Sequence, residues 1–138
     1  MIVLIVDPGQ LYTAAARNDR DDRRCVELLS SAPRPILVPE LVVTEVAYLL
    51  ADRAGTYAEV AFGRSIADGE LVAEPVLASE WWRVAELVER SSHLPLGMVD
   101  ASVVILAERH GAEVVATLDR RRFGAVRPRH AGSLTLVP

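Results

Sequence analysis

The sequence predicts an α/β fold with a central, mostly parallel sheet of about four or five strands and helices on both faces. Three observations support this prediction. Short β-branched runs alternate with longer segments of helical periodicity, the first run has no polar side, and glycine or proline falls between segments. The length of 138 residues fits a single domain over residues 1–138.

The chain is predicted to begin with a strand, a broken helix and a second strand. Residues 2–6 (IVLIV) are continuously apolar, as in a strand buried on both faces, and they do not resemble a signal peptide. Helical periodicity runs over residues 10–31 with a break near Asn18–Asp19. Residues 36–38 (ILV), which follow two prolines, form a short strand.

Two helices and a weak strand are predicted next. Pro39 stands where the first turn of a helix tolerates proline, so a helix is expected over residues 40–53. Gly55 ends that helix and another follows to about Asp68–Gly69. Residues 71–76 form the weak strand.

Two further helices and two strands complete the predicted fold. The helix over residues 79–92 turns Val84, Leu87 and Val88 inward, and the helix over residues 98–110 stops at Gly111. The last strands cover residues 114–118 (VVATL) and 134–137 (LTLV).

Composition excludes several classes of protein. All 15 basic residues are arginine, so mechanisms that need a catalytic or phosphate-binding lysine are excluded, including P-loop NTPases, and phosphorylation-receiver domains are disfavoured. No stretch approaches the ~20 apolar residues of a membrane span. The single cysteine, Cys25, excludes an internal disulfide, fits a reducing cytoplasm and is expected in the core.

Charge is unevenly distributed along the chain. Residues 1–108 carry 9 arginines and 17 acids, a net charge of −8, whereas residues 109–138 carry 6 arginines and 2 acids, a net charge of +4. The sum is the formal net charge of −4. Basic charge is therefore concentrated in the last quarter, where an anionic partner would be attracted.

Four acids interrupt apolar segments. Asp7 follows IVLIV, Glu45 lies within LVVTEVAYLL, Asp100 lies within LPLGMVDASVVILA, and Asp119 follows VVATL. Burial of an unpaired carboxylate costs several kcal/mol or forces protonation, so four such acids indicate a shared function. Each acid alone also has a structural explanation, as a turn residue, a helix-start residue or a partner of solvent or arginine.

Placement brings these acids toward one site. Asp7 and Asp119 each follow a predicted parallel strand, and sites in open α/β sheets form beyond the carboxyl ends of strands. Asp100 lies in the first turn of its helix, where the macrodipole favours an anion. Glu45 lies mid-helix between two apolar faces, and we expect almost no solvated side there.

Clustered carboxylates favour a hard divalent cation. Oxygen ligands suit Mg²⁺ or Mn²⁺, which promote phosphoester chemistry by activating water and stabilising charge on phosphate. Zinc is disfavoured because the three histidines and the cysteine show no ligand spacing. The histidines are His93, His110 and His130.

Residues near Asp119 suggest nucleic-acid contact. Arg120, Arg121 and Arg122 follow it directly, and arginine forks match phosphate geometry, although a solvated loop is an alternative. The Thr117 hydroxyl is a candidate to bond either a carboxylate or an RNA phosphate. Of Trp81 and Trp82, one is expected in the core and one half-exposed, and base stacking by them is disfavoured.

Four segments resemble the PIN-domain ribonucleases, and most closely the VapC-type toxins of type II toxin–antitoxin modules. The segments are IVLIVDPGQLY (2–12), VVTEVAYLLADRAG (42–55), LPLGMVDASVVILAERHGA (94–112) and VVATLDRRRFGAVRP (114–128). They extend over nearly the whole chain, and GMVDAS and TLDRRRF are the most specific.

The resemblance implies a PIN-like three-layer α/β/α sandwich and endonucleolytic cleavage of RNA, with tRNA or rRNA as the expected substrate. It maps the acidic quartet of the family onto Asp7, Glu45, Asp100 and Asp119 as catalytic and metal-binding residues for Mg²⁺ or Mn²⁺. Asp7 and Asp100 would hold the principal ion with Asp119 beside it, and Glu45 would hold a water molecule or orient the nucleophile. It also implies a homodimer, inhibition by a cognate antitoxin protein and a larger toxin–antitoxin assembly.

The chain departs from the family pattern at two positions. Pro8 stands where the family usually has a hydroxyl residue, and Arg122 stands where it often has histidine. Two other functions stay open: a catalytically idle PIN-like module that binds RNA or protein, and a small-molecule phosphatase. The second is disfavoured because a D-x-D pair is absent at Asp7.

Overall fold

A computed structural model describes residues 4–16, 22–91 and 96–137, and it contains five parallel strands in the order β3–β2–β1–β4–β5. The strands are β1 (Leu4–Val6), β2 (Ile36–Pro39), β3 (Val72–Glu74), β4 (Val114–Ala116) and β5 (Thr135–Val137). The helices are α1 (Pro8–Ala16), α2 (Asp22–Ser31), α3 (Glu40–Arg53), α4 (Thr56–Ala67), α5 (Trp81–Arg90), α6 (Met98–His110) and α7 (Arg120–Gly124), with a 3₁₀ turn at Ala78–Glu80.

The first strand forms the centre of the sheet. Its three residues are at most 3% exposed, and Leu4 pairs with Ile36 of β2 on one side and with Val114 of β4 on the other. Both faces of this strand are covered, so the side chains on each face are apolar and no polar residue alternates with them. The predicted doubly buried first strand is confirmed over Leu4–Val6, and residues 2 and 3 of the predicted range lie outside the described residues.

Strand order creates a crevice beside β1. The chain moves toward one edge from β1 through β2 to β3, and then toward the other edge through β4 to β5. Right-handed crossovers in opposite directions place helices on both faces of the sheet. The direction reverses between β1 and β4, and such a switch point opens a crevice at the carboxyl ends of the strands. This arrangement confirms the predicted three-layer α/β/α class.

Helix α6 crosses the core. All its residues from Ala101 to Ala107 are buried, and it contacts β1, β2 and β4 as well as α3 and α5. A helix buried all round is expected to be apolar all round, as this one is. Gly111 ends it in the left-handed conformation (φ 62°), which glycine adopts without steric cost.

Most predicted elements are confirmed, with ends that differ by a few residues. The predicted helix over residues 10–31 is present as α1 and α2, and its expected break at Asn18–Asp19 lies outside the described residues. Helix α7 was not predicted. Cys25 is fully buried, as expected. Within the described residues, no helix combines the length and apolar character needed to cross a membrane.

Two expectations about exposure are wrong. Helix α3 has a solvated stripe through Thr44, Glu45 and Tyr48, because only Val42, Val46 and Leu50 turn into the core. Trp81 is 43% exposed and Trp82 is 87% exposed, so neither is in the core. The buried face of α5 is formed by other residues, namely Arg83, Val84 and Leu87.

Candidate active site

A single open cavity of about 690 Å³ lies at the switch point between β1 and β4. All four acids singled out in the sequence line it, although they come from four separate segments of the chain. The three consecutive arginines of α7 line it as well. The structure therefore brings together the predicted carboxylates and the predicted basic run. The acids are Asp7, Glu45, Asp100 and Asp119, and the arginines are Arg120, Arg121 and Arg122.

Asp7 is held rigidly at the end of β1. It is 3% exposed, and its Oδ1 accepts a hydrogen bond of 2.9 Å from the backbone N–H of Gln10, in the manner of a helix cap. Its Oδ2 accepts a hydrogen bond from the hydroxyl of Thr117. Both carboxylate oxygens are thus oriented by the two segments that follow β1 and β4.

Pro8 fits this cap. It is the first residue of α1, where the backbone N–H has no partner within the helix, so proline sacrifices no hydrogen bond there. Proline is also preorganised for the first helical position. The departure from the family pattern therefore leaves the geometry of Asp7 intact, and the orienting hydroxyl is supplied by Thr117 instead.

The environment favours the protonated form of Asp7. Burial raises the pKa of this carboxyl from 3.8 to about 6, although its hydrogen bonds with Thr117 and Gln10 act in the opposite direction. The negative charges of Asp100 and Asp119 contribute to this rise. Mutual repulsion of this kind is what a bound cation would relieve.

Asp100 and Glu45 face the cavity from two helices. Asp100 lies in the first turn of α6, its side chain is 13% exposed, and the backbone N–H of Gly97 bonds to it. Burial raises the pKa of Asp100, and the nearby Arg122 opposes that rise. Glu45 lies at the exposed rim, and its pKa is raised by partial desolvation and by the charge of Asp100.

Asp119 caps α7 and forms an ion pair with Arg122 of the same helix. Its Oδ1 accepts a hydrogen bond of 3.0 Å from the backbone N–H of Arg122. The Nε of Arg122 lies 3.0 Å from Asp119 Oδ2, and the Nη1 of the same side chain lies 3.0 Å from Asp100 Oδ2. One guanidinium therefore bridges two of the four acids.

The donor set is chemically suited to a hard cation. Three of the acids interact strongly enough to shift the pKa of Asp7, and a cationic side chain already lies between two of them. Carboxylate oxygens are the ligands that Mg²⁺ and Mn²⁺ prefer. Among the described residues, however, no three acidic, histidine or cysteine side chains are grouped closely enough to hold an ion as they lie. Some rearrangement must accompany metal binding.

Of the two bonds expected for the Thr117 hydroxyl, the structure shows the one to a carboxylate. The residue is 1% exposed, and its hydroxyl donates to Asp7 Oδ2 while it accepts a 2.8 Å hydrogen bond from the backbone N–H of Asp119. It therefore positions two acids instead of reaching an RNA phosphate. The arginines also differ from one another, since Arg120 and Arg121 are exposed whereas Arg122 is engaged with the carboxylates.

Sequence reasoning missed two features of this site. The first is the ion pairing of Arg122, for which the spacing of three residues from Asp119 was the available signal. The second is the cap that Asp7 forms by accepting from the backbone N–H of Gln10, which depends on where α1 begins. Neither feature depends on apolar periodicity, and so the pattern of buried residues does not indicate them.

Comparison with known proteins agrees with the geometry. A family model for the PIN domain matches residues 6–127. The chain is 33% identical over 135 residues to Ribonuclease VapC26 of Mycobacterium tuberculosis, with 98% of this chain and 100% of the relative covered.

Solved structures share the fold. The toxin VapC20 of M. tuberculosis, described as cleaving the sarcin–ricin loop, superposes with a TM-score of 0.83 at 21% identity, with 98% of this chain and 99% of the other covered. VapBC2 of Rickettsia felis, bound to a promoter DNA fragment, gives a TM-score of 0.70 at 14% identity, with coverage of 99% and 100%. FitAcB of Neisseria gonorrhoeae gives a TM-score of 0.63 at 13% identity, with 98% of this chain and 96% of the other covered.

The match to the family model and the identity to VapC26 extend over the segments that carry all four acids. The chain therefore belongs to the PIN-domain family and, within it, to the VapC-type ribonucleases.

Proposed function

We propose that this chain is a metal-dependent endoribonuclease, the toxin of a toxin–antitoxin module, which cuts transfer RNA or ribosomal RNA in the acidic cavity. The observation that carries the proposal is the convergence of four carboxylates from four segments on one cavity at the sheet's switch point. Two relatives support the reaction class, since one is a ribonuclease and the other cleaves the sarcin–ricin loop.

In this proposal, Asp7, Asp100, Asp119 and Glu45 hold Mg²⁺ or Mn²⁺. When bound, such an ion lowers the pKa of a water molecule and neutralises charge on the scissile phosphate. The rigid hydrogen bonds of Asp7 favour its role as the fixed ligand, because its oxygens need little ordering before they bind.

Glu45 is the acid best placed to orient the attacking water. It lies at the exposed rim of the cavity, where water has access, and desolvation together with the charge of Asp100 raises its pKa toward neutrality. A carboxylate with a raised pKa is a better proton acceptor near neutral pH than one with its ordinary pKa. No nucleophilic side chain is required in this reaction.

Arg120 and Arg121 are the proposed contacts to the RNA backbone. Both line the cavity and both are exposed, so their guanidinium groups can reach a phosphate without breaking a buried contact. Contacts of this kind position the RNA and carry little sequence information. Arg122 forms ion pairs with Asp100 and Asp119 in this structure.

A cognate antitoxin that inhibits the enzyme, a homodimer, a larger toxin–antitoxin assembly and a cytoplasmic location complete the proposal. Large apolar side chains on α3 and α4 support contact with other protein chains, since Tyr48 is 69% exposed, Tyr57 is 87% exposed and Val60 is 44% exposed.

The test is cleavage of tRNA and rRNA by the purified, antitoxin-free protein with Mg²⁺ or Mn²⁺, and with EDTA. An Asp100→Asn variant is the decisive comparison, and Asp52→Asn, an exposed acid of the same charge on α3, is the matched control. Discrete fragments should require the metal, persist in the control and vanish in the Asp100 variant. Cleavage that survives in the Asp100 variant would contradict the site assignment.

A catalytically idle PIN-like module that binds RNA or protein is the second candidate. The specific observation in its favour is that Arg122 already pairs with Asp100 and Asp119 and offsets one of their two negative charges. Metal binding without fragments from any RNA, by a folded protein, would favour this candidate.

A further inference from the structure

Arg122 occupies the position of a cation inside the acidic cavity. Its guanidinium lies between Asp100, in the first turn of α6, and Asp119, at the start of α7, with an N···O distance of 3.0 Å to each. The same charge opposes the raised pKa of Asp100 and of Glu45. Three of the four acids therefore interact with this one side chain.

The position of Arg122 is set by the fold of α7. Its backbone N–H donates to Asp119, and the next residue, Phe123, is fully buried and anchors the helix. The spacing of three residues then lays the side chain against the carboxylate that caps its own helix. Among the described residues, no ion pair connects Arg120 or Arg121 to an acid, so the arrangement is particular to Arg122.

A guanidinium and a divalent ion cannot use the same oxygens at once. Arg122 engages one oxygen of Asp100 and one of Asp119, and the carboxylates are not grouped for a metal as they lie. Arginine stays protonated at all ordinary pH values, so only movement can free these oxygens. The side chain is 38% exposed, so part of it already reaches solvent.

We propose that Arg122 is a built-in competitor of the metal: it pairs with Asp100 and Asp119 when no ion is bound, and it must leave them for the ion to bind. The affinity of the site for Mg²⁺ or Mn²⁺ is thereby lowered by the ion pairs that must be broken. This inference rests on the proposed function of the cavity as a metal site, and it assigns to Arg122 the control of metal occupancy.

The direct test is Mn²⁺ binding, measured from the electron paramagnetic resonance signal of free Mn²⁺ and by calorimetry. Arg122→Gln should bind Mn²⁺ roughly tenfold more tightly than the wild type, since two half-exposed ion pairs no longer need to be broken. Arg121→Gln is the matched control, because it removes the same charge from the same cavity. Its smaller change measures the long-range effect of charge alone.

Two further readouts keep the inference testable if Arg122→Gln folds poorly. Arg122→Lys keeps the charge but loses the fork that bridges two acids, so its Mn²⁺ affinity should lie between those of Arg122→Gln and the wild type. In the wild type, the Nε–H resonance of Arg122 should shift as Mg²⁺ is added, because the ion pair between this nitrogen and Asp119 is broken.

Several outcomes would overturn the inference. They are an unchanged or weaker Mn²⁺ affinity in Arg122→Gln, an equal gain in Arg121→Gln, and an Arg122 resonance that does not respond to saturating Mg²⁺. None of these outcomes depends on RNA cleavage. A protein that binds Mn²⁺ as expected but cuts no RNA would refute the proposed ribonuclease and leave the role of Arg122 standing.

Discussion

Replacement of Asp7 by asparagine should stabilise the metal-free protein while it abolishes metal binding. Burial raises the pKa of Asp7 from 3.8 to about 6, so the ionised carboxylate destabilises the folded state. At 1.36 kcal/mol for each pH unit, this rise corresponds to about 3 kcal/mol. Asparagine carries no charge and removes that cost, although its amide replaces the carboxylate in the hydrogen bonds with Thr117 and Gln10.

The dependence on pH separates these two effects. Folded Asp7 holds its proton more tightly than the unfolded chain does, so the free energy of unfolding of the wild type falls as the pH rises from 3.8 to about 6. The cost of exchanged hydrogen bonds is the same at every pH. The stability advantage of Asp7→Asn should therefore be small near pH 4 and grow to most of the ~3 kcal/mol above pH 7.

Urea unfolding in EDTA at a series of pH values measures this advantage. Asp52→Asn, which removes an exposed acid from α3, serves as the control and should show no comparable growth with pH. Addition of Mg²⁺ should then stabilise the wild type at pH 8 and leave the Asp7 variant unchanged. A difference between variant and wild type that is equal at pH 4 and pH 8 would refute the argument from burial of charge.

Three other changes test the supports of the site. Thr117→Val removes a hydrogen bond that lowers the pKa of Asp7, so the pH at which RNA cleavage reaches half its maximum should rise. Loss of this buried hydrogen bond should also lower the free energy of unfolding in urea by about 1–3 kcal/mol. Phe123→Ala removes the fully buried anchor of α7, at about 3–5 kcal/mol, and RNA cleavage should fall even where circular dichroism shows a folded chain. Arg83→Gln removes the guanidinium that pairs with Glu108 between α5 and α6, which leaves this carboxylate its hydrogen bond from the backbone N–H of Arg129. The change should cost about 3–5 kcal/mol by thermal or urea unfolding, whereas Arg83→Met combined with Glu108→Leu should recover most of that loss.

Much of the fold could be predicted because burial leaves a periodic trace in the sequence. The run IVLIV indicates a strand covered on both faces, and β1 is the central strand of the sheet. Parallel strands end at the same edge, so acids that directly follow β1 and β4 were expected to meet, and Asp7 and Asp119 line one cavity. These inferences needed only the periodicity of apolar residues and the common direction of the strands.

Features that depend on a particular tertiary partner could not be predicted in this way. Helix α7 has five residues and three of them are arginine, so it has too little apolar periodicity to be recognised. It forms because Asp119 caps it and Phe123 is buried. The two tryptophans of α5 are exposed for a related reason, since a buried Arg83 paired with Glu108 occupies the inner face.

The acidic cluster shows where such reasoning reaches its limit. Four acids in apolar segments imply that positive charge must lie near them, and an external metal ion was the cation that the pattern suggested. The structure adds a cation from the chain itself, Arg122, which a list of buried positions does not reveal because its side chain is 38% exposed. A site that carries its own counter-ion has part of its negative charge offset without metal. Its metal affinity is then set by the difference between two cations competing for Asp100 and Asp119. For that reason, the departure from the family pattern at residue 122 bears on metal occupancy, while the departure at Pro8, which keeps the cap of α1, does not.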